Sequence, residues 1–468
     1  MGLLMGAEGS ARNAIQADRC FRAAHRLDPM HRDAVGKRYE LRQLGGRFPP
    51  NVPYVDLGDK GAEDLSGEER RALEHQSRYK RRLYEKYFSM ESSVKRHRQS
   101  LRGDGGDAGP LMALGGLYTE LQEHEKAAEV YRAVTELSPG DGAVFVKFVE
   151  SQVKGCVFEG WGANFERLAS IVLSQAANGV EPSLGPIPAT VYPLPPRVAL
   201  AICRFLGERV HAETAALNHP PLPLHWPAPK GWGGAIPPLN IGYVTSHFTS
   251  SSIGREMLFL IASHGPKRFK VHCYALNSDD GSWLQHTWRQ AIAKVCHNFV
   301  DASRLSDRRA AELVNEHGVT VLLNLNGWSG GHRQAILAER PAPVQVNYKN
   351  WVASSGIPQL HFNVGDRVAT PPELAGDFTE GVVLVPNSYF VSGHRYQYKL
   401  DNPIQAAAVS TASAEERAAQ RAAHGLPPAA FLLGNFNSLD KLEPRVWRLW
   451  EGAARGHPSL TVWLQKYP

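Results

Sequence analysis

The chain has 468 residues, of which 43% are hydrophobic and 21% are charged, and its formal net charge at pH 7 is +6. This composition is typical of a globular protein with a sizeable core, and the mild positive charge does not by itself indicate nucleic-acid binding. No apolar run approaches the roughly 18 residues that a membrane-spanning helix needs, and the start of the chain lacks the basic segment of a secretion signal.

The cysteines are few and scattered along the chain. No two of them form a Cys-x-x-Cys pair, so the spacing predicts neither a disulfide framework nor a zinc site, and it favours a reducing compartment. The five are Cys20, Cys156, Cys203, Cys273 and Cys296.

Helical repeats are predicted in the N-terminal part of the chain. Residues 108–142 match the 34-residue tetratricopeptide template, in which small residues let two helices pack closely and a proline ends the second helix. Residues 1–36 are expected to form part of a similar helix pair. The stronger match rests on seven positions: Leu111, Leu114, Gly115, Tyr118, Ala127, Tyr131 and Pro139.

A charged insertion or linker, residues 37–107, separates the two predicted repeats. Its stretch 66–102 interleaves arginine and lysine with tyrosine. Such a run is usually a solvated helix face, and contact with RNA or an acidic membrane surface is the less favoured alternative. We therefore expect neither nucleic acid nor a membrane as a partner.

A helical linker region at 143–238 leads into alternating strand and helix patterns at 239–404. This alternation predicts βαβ units and a parallel sheet, so the expected fold class is α/β with an all-α N-terminal part. Ligands of such sheets bind at the carboxyl ends of the strands, where the hydroxyl-rich loop 245–252 is expected to lie. The predicted strands and helix include Asn240–Val244, Phe269–Leu276, Arg308–His317, Val319–Leu325 and Gly381–Pro386.

Residues 405–468 begin a second alternating pattern. An Ala-rich bridging helix at 405–425 precedes a strand at Phe431–Gly434, a helix at Pro444–Arg455 and a strand at Leu460–Leu464. Two parallel strands cannot bury both of their faces. The segment is therefore predicted to be the start of an incomplete second sheet domain.

Several phrases, in this order along the chain, resemble the protein O-linked N-acetylglucosamine transferases of glycosyltransferase family 41, which includes the plant-type O-fucosyltransferase relatives. The resemblance implies a B-type enzyme with two Rossmann-like domains. It also implies transfer of N-acetylglucosamine from UDP-N-acetylglucosamine to Ser or Thr, with inversion and without a metal or other cofactor. The phrases are Tyr192-Pro193-Leu194, Ile241–Ser246, Cys273–Leu276, Asp279–Gly281, Asn324–Gly327, Arg340–Gln345, Asn435–Asn437 and Lys441.

The same resemblance implies partners and a location. Intracellular protein substrates would bind through the tetratricopeptide helices and the cleft, in the cytoplasm, the nucleus or both. Because the second domain is expected to be incomplete, the chain is predicted to bind a nucleotide sugar weakly or not at all.

A metal-free transfer needs positive charge at the departing diphosphate. Lys441 matches the family lysine that contacts the diphosphate, Asn437 belongs to the flanking motif, and Ser438 aligns with a glutamine that contacts the nucleotide. Lys349 and Asn350 align with a Leu-Gly pair of the sugar pocket. These five residues are the predicted nucleotide-sugar ligands.

The predicted catalytic residues replace those of the family. Ser251 aligns with a histidine once favoured as the base, and His247 with an aspartate. Glu312 and Asn315 align with an aspartate and a histidine. Ser251 and Glu312 are the predicted catalytic pair, while a loop hydroxyl and an exposed helix carboxylate are the alternative. These replacements leave two further functions open, a non-catalytic tetratricopeptide scaffold that binds proteins and a fucosyl-transferring relative.

Overall fold

The computed structural model describes residues 3–5, 108–226, 238–279, 281, 283–393, 413–437 and 441–464. The predictions for residues 6–107, including the partial repeat and the basic segment 66–102, lie outside the described residues, as does Ser438. The chain divides into two compact units, one formed by residues 1–164 with 406–468 and the other by residues 165–405.

In the described residues 108–164 of the first unit, three successive helices lie next to each other in the sequence. They are α1 (Ala108–Glu120), α2 (His124–Leu137) and α3 (Gly142–Gly155). Gly115 lies against the ring of Tyr131, where an added Cβ would be 2.6 Å from a ring carbon. The predicted helices are confirmed, and their assignment to the tetratricopeptide class stays a prediction.

A small three-stranded sheet belongs to the same unit. Strands β9 (Phe431–Asn435) and β10 (Leu460–Leu464) run parallel, as the pattern predicts. The sequence did not predict β1 (Leu3–Met5), which pairs antiparallel with β10. The helices of this part are α11 (Ala414–Ala423) and α12 (Pro444–Gly456).

The second unit contains the predicted parallel sheet, with seven strands. The helical linker region supplies α4 (Trp161–Ala177), of which residues 165–177 belong to this unit, together with α5 (Pro186–Val191) and α6 (Pro196–Ala216). The strands are β2 (Leu239–Thr245), β3 (Phe269–Ala275), β4 (Asn298–Asp301), β5 (Val321–Asn324), β6 (Val344–Asn347), β7 (Phe362–Gly365) and β8 (Gly381–Leu384). The helices between strands are α7 (Ser252–Ala262), α8 (Trp283–Val295), α9 (Asp307–Glu316) and α10 (Ala335–Ala338).

Both faces of this sheet are covered by apolar packing, which explains the nearly continuous apolar runs of its central strands. On one face Tyr274 and Leu322 pack with Val314 of α9. On the other face Cys273 packs with Met257 of α7 and with Ile292 of α8. Among the described helices, none combines the length and the apolar character needed to cross a bilayer.

Helix α6 approaches the turn after β6 closely enough to require glycine at the contact. A Cβ on Gly207 would lie 2.1 Å from the carbonyl oxygen of Gly356, and Gly356 itself has φ +69°. The turn is held by the buried carboxylate of Glu380, which accepts hydrogen bonds from the Ser355 amide at 2.6 Å and the Ser354 hydroxyl at 2.8 Å. The helix and the turn are therefore fitted together without intervening side chains.

The expectation that the cysteines would form no disulfide is wrong. Cys273 on β3 is bonded to Cys296, which follows α8 and lies two residues before β4. The bond joins residues 23 positions apart in the sequence. It becomes possible because β3 and β4 are neighbours, so that the loop entering β4 passes beside β3.

Candidate functional site

The sheet reverses its order of growth between β2 and β5. From β2 the chain adds β3 and β4 on one side, and it then returns to place β5 through β8 on the other side. In open parallel sheets a ligand crevice forms at such a switch point, outside the carboxyl ends of the strands. The loops that follow β2 and β5 therefore border the expected ligand crevice.

Asn326 joins these two loops. Its Oδ1 accepts hydrogen bonds from the Thr245 hydroxyl at 2.8 Å and from the Ser246 amide at 2.7 Å. Its Nδ2 donates to the Ser246 hydroxyl at 2.8 Å and to the Gly330 carbonyl at 3.2 Å. The side chain is 1% exposed, so this amide fixes the floor of the crevice.

His247 and Ser329 meet above this floor. The Nε2 of His247 lies 3.2 Å from Ser329 Oγ, and Asn350 Nδ2 donates to the same Oγ at 2.8 Å. Burial lowers the pKa of His247 below its usual value, which keeps the imidazole neutral at pH 7. The three side chains come from the loops after β2, β5 and β6 and form a connected polar cluster, named here the switch-point cluster.

Ser251, a predicted catalytic residue, contacts this cluster through the backbone. It is the N-cap of α7, where its Oγ accepts from the Gly254 amide at 3.2 Å, and it donates to the His247 carbonyl at 3.0 Å. A serine N-cap stabilises a helix in this way in many proteins. The contacts account for the serine structurally, and its catalytic role stays a prediction.

Lys349 and Asn350, predicted to line a sugar pocket, point to different partners. Asn350 belongs to the switch-point cluster, whereas Lys349 Nζ lies 2.9 Å from a carboxylate oxygen of Glu256 on α7 and 3.0 Å from the ring centre of Phe390. Lys349 has φ +75° and its side chain is 1% exposed. Burial lowers the pKa of Lys349, and the hydrogen bond to Glu256 opposes that shift. A ligand would reach this amine only by displacing Glu256 and Phe390.

Glu312 lies on α9 and is held by two arginines. Its carboxylate accepts from Arg308 Nε at 2.9 Å and from Arg309 Nη1 at 3.2 Å. These bonds lower the pKa of Glu312. None of the described contacts of Glu312 involves Ser251, so the structure does not bring the predicted catalytic pair together.

Asn315, which aligns with the other family residue on α9, has a structural position. Its Nδ2 donates to the carbonyls of Pro223 at 2.6 Å and Pro341 at 3.0 Å. The side chain is buried. Asn315 thereby ties Pro223, in the segment that follows α6, to the Arg340–Gln345 motif.

Lys441 and Asn437 belong to the first unit. Both follow β9, in the connection to α12, and both are exposed. The Asn437 amide N–H donates to Asn435 Oδ1 at 2.9 Å. Their contact with a diphosphate and a nucleotide stays a prediction.

Sequence reasoning did not identify Asn326, Ser329 or Glu256 as members of the site. A signal for the first was present, because Asn324 and Asn326 interrupt an otherwise apolar strand end. Buried amides at a strand terminus need partners, and in parallel sheets such partners come from neighbouring loops. No local pattern indicated Ser329 or Glu256.

An open parallel sheet with a polar cluster at its switch point is the arrangement in which α/β proteins typically bind a ligand, between the loops of the central strands. Comparison with known proteins is more specific. The family described as glycosyl transferase family 41 matches residues 156–416, more than half of the chain. The chain belongs to glycosyltransferase family 41, as its motifs predict.

Curated relatives carry names that agree with this family. An Arabidopsis thaliana protein named probable UDP-N-acetylglucosamine–peptide N-acetylglucosaminyltransferase SEC is 29% identical over 313 residues, which cover 67% of this chain and 30% of that protein. A Caenorhabditis elegans UDP-N-acetylglucosamine–peptide N-acetylglucosaminyltransferase is 30% identical over 244 residues, covering 51% and 20%. The chain thus matches less than a third of the length of either relative.

A solved structure is also similar. A mutant of the Thermobaculum terrenum O-GlcNAc transferase superposes with a TM-score of 0.47 at 19% identity, covering 80% of this chain and 64% of that one.

Proposed function

We propose that this chain is a protein glycosyltransferase that moves N-acetylglucosamine from UDP-N-acetylglucosamine to the hydroxyl of Ser or Thr in other proteins, with inversion and without a bound metal. The observation that carries the proposal is the switch-point cluster, in a chain of family 41. A hydroxyl, a side-chain amide and an imidazole are uncharged groups that hydrogen-bond sugars and acceptor hydroxyls.

The diphosphate is proposed to bind Lys441 and the neighbouring Asn437 and Ser438. A charge-assisted hydrogen bond from a lysine stabilises a diphosphate, and its contribution grows as negative charge develops on the leaving group. Lys441→Ala should therefore lower turnover by about 10- to 100-fold, since bonds to charged groups contribute about 1.5–3 kcal/mol. Acceptor affinity should stay unchanged. Arg445→Ala, which removes another exposed cation near the start of α12, is the matched control.

A non-catalytic scaffold is the second candidate. It is favoured by the contacts of Ser251, Glu312 and Lys349, each of which already has a structural partner. As a scaffold, the chain would bind proteins through α1, α2 and α3 and would transfer nothing.

One assay separates these candidates from each other and from fucosyl transfer. The chain is incubated with a library of Ser- and Thr-containing peptides and with radiolabelled UDP-N-acetylglucosamine or, in parallel, GDP-fucose. Label transferred from the uridine donor supports the proposal. Label from GDP-fucose alone supports the fucosyl relative, and peptide binding without transfer from either donor supports the scaffold.

A further inference from the structure

The switch-point cluster contains one group that can accept a proton at neutral pH. Ser329 Oγ accepts N–H groups of Asn350 at 2.8 Å and of Asn326 at 3.5 Å, and it lies 3.2 Å from His247 Nε2. With these amides as donors, the Ser329 hydrogen is available to His247 Nε2 in the ring tautomer that is protonated at Nδ1. In that tautomer Nε2 carries the lone pair. The imidazole is neutral because burial disfavours its charged form.

The groups hydrogen-bonded to His247 among the described residues are all uncharged. The Thr245 hydroxyl accepts from the His247 amide at 3.0 Å, the Ser251 hydroxyl donates to its carbonyl, and Ser329 faces the ring. No carboxylate or ammonium contributes to the pKa shift, whose cause is burial. The basicity of this ring is therefore set by its surroundings of hydroxyls and backbone.

The predicted catalytic residues are less suited to accept a proton. Ser251 uses both its hydrogen and a lone pair in the cap of α7, and an alcohol is a weak base. Glu312 is bonded to Arg308 and Arg309, which hold its carboxylate in the charged form and direct it to their guanidinium groups. His247, in contrast, has a lone pair whose partner is a neutral hydroxyl.

We infer that His247 Nε2 is the general base of the reaction and takes the proton of the acceptor hydroxyl. This inference rests on the proposed function. The acceptor Ser or Thr hydroxyl replaces Ser329 as the hydrogen-bond donor to Nε2. Its oxygen forms a bond to the anomeric carbon as the bond from that carbon to the diphosphate oxygen breaks. The electron pair leaves on the diphosphate, and the proton passes to Nε2, giving an imidazolium that later releases it to water.

Ser329 and Asn350 act as positioning residues in this scheme. Ser329 holds the ring with Nε2 toward the crevice before the acceptor arrives, and Asn350 fixes the Ser329 hydroxyl. A general base contributes about 10²–10⁴-fold to a rate when its lone pair is aimed at the reacting proton. The orientation given by these two residues is what makes the lone pair available.

The test has a spectroscopic arm that does not depend on turnover. The chain is labelled with ¹³C-histidine, and the His247 ring signal is identified by its loss in His247→Gln. A Ser-containing peptide and the same peptide with Ala in place of Ser are then added. We expect the Ser peptide alone to shift the His247 signal, and Ser329→Ala to move that signal in the unbound chain. Equal shifts with the two peptides would overturn the inference.

The kinetic arm uses the same variants. His247→Gln should lower peptide transfer by at least about 100-fold while UDP-N-acetylglucosamine affinity stays the same. It should also remove the acidic limb of the pH–rate profile, and Ser329→Ala should shift that limb. The control, His297→Gln, alters an exposed histidine outside the cluster. A His247→Gln variant with at least a third of normal turnover would overturn the inference, as would a Ser251→Ala variant that alone removes the acidic limb. If the unsubstituted chain transfers no sugar, the proposed function fails and the inference fails with it. If the unsubstituted chain transfers sugar and His247→Gln keeps at least a third of that turnover, the inference alone fails.

Discussion

Three histidine side chains, one of which belongs to β3, lie close together. His272 is buried and stacks on the ring of His317 at 5.2 Å, while His297 meets it edge-on at 5.7 Å. Burial lowers the pKa of His272 to about 4, and the nearby charges of His317, His297 and Lys270 act in the same direction. The Tyr274 hydroxyl lies 2.9 Å from His317 Nδ1 and fixes the His317 ring beside His272.

This cluster predicts a loss of stability in acid. Because the pKa of His272 is lower in the folded chain than the usual 6.5, the unfolded chain binds more protons between these values. The contribution of neutral His272 to the free energy of unfolding is fully present above pH 6.5 and is lost as the pH falls toward 4. It is on the order of 2 kcal/mol once solvent screening is allowed for.

Urea unfolding at pH 7, 5 and 4 tests this prediction. His272→Leu should flatten the pH dependence of the unfolding free energy, and His297→Gln should reduce it only slightly. Equal acid sensitivity in the His272→Leu variant and the unsubstituted chain would show that other groups cause the loss.

The Lys349–Glu256 pair leads to a second prediction for single residues. Both side chains are buried, and removing one partner leaves the other charge without compensation. Glu256→Gln should therefore lower the unfolding free energy by about 3 kcal/mol. The double variant Glu256→Leu with Lys349→Met should be nearly neutral. Denaturant midpoints measure both, and a single variant as stable as the double one would contradict the prediction.

At the scale of elements, the contact between α1 and α2 depends on one glycine. A methyl group on Gly115 would press on the Tyr131 ring, whereas a methyl group on Gly116 would lie 3.9 Å from the Tyr131 hydroxyl oxygen. Gly115→Ala should destabilise the helices by about 1–3 kcal/mol through overpacking. Gly116→Ala should stabilise them by about 0.5–1 kcal/mol, since alanine favours a helix. Thermal unfolding followed by circular dichroism should show a lower midpoint temperature for Gly115→Ala and a higher one for Gly116→Ala.

The sequence predicted elements where burial produced a clear pattern. Strands β2 and β3 carry long apolar runs, and the predicted positions agree with the structure within a residue or two. The sequence did not predict α8, β4 or β6. Strand β4 has only four residues at a sheet edge, and none of them is fully buried. An edge strand has a neighbouring strand on one side only. It therefore needs no continuous apolar run, and its hydrophobic pattern in the sequence is weak.

The sequence predicted where the candidate site lies in the sheet, but it did not predict which side chains form it. A hydroxyl-rich loop after the first strand correctly indicated the carboxyl end of the sheet. The contact of His247 with Ser329 joins residues 82 positions apart, however, and arises only because β2 and β5 are neighbours. The same reason explains the missed disulfide. Local patterns reveal strands, whereas contacts across the sheet depend on strand order.

For the molecule as a whole, the disulfide constrains the sheet unit. Closing a loop of this length stabilises a fold by about 3 kcal/mol in the chain-entropy account. Reduction with dithiothreitol, or Cys296→Ser, should lower the unfolding free energy by that order. Cys156→Ser, at a partly exposed free thiol, controls for the exchange of sulfur for oxygen. An unchanged unfolding midpoint after reduction would contradict the predicted stabilisation. The reducing compartment predicted from the cysteine spacing stays a prediction.

The order of strands also determines how the sheet can assemble as the chain emerges from a ribosome. The first strand made, β2, has strands on both sides in the finished sheet, because β3 flanks one side and β5 the other. Strand β5 begins at Val321, well after β2 ends at Thr245. At about 5–20 residues per second, this separation leaves one side of β2 without its partner for about 4–15 seconds. During that interval its unpaired N–H and C=O groups can pair with another nascent chain. Translation pauses between β2 and β5 should therefore increase co-translational aggregation more than pauses placed after β6.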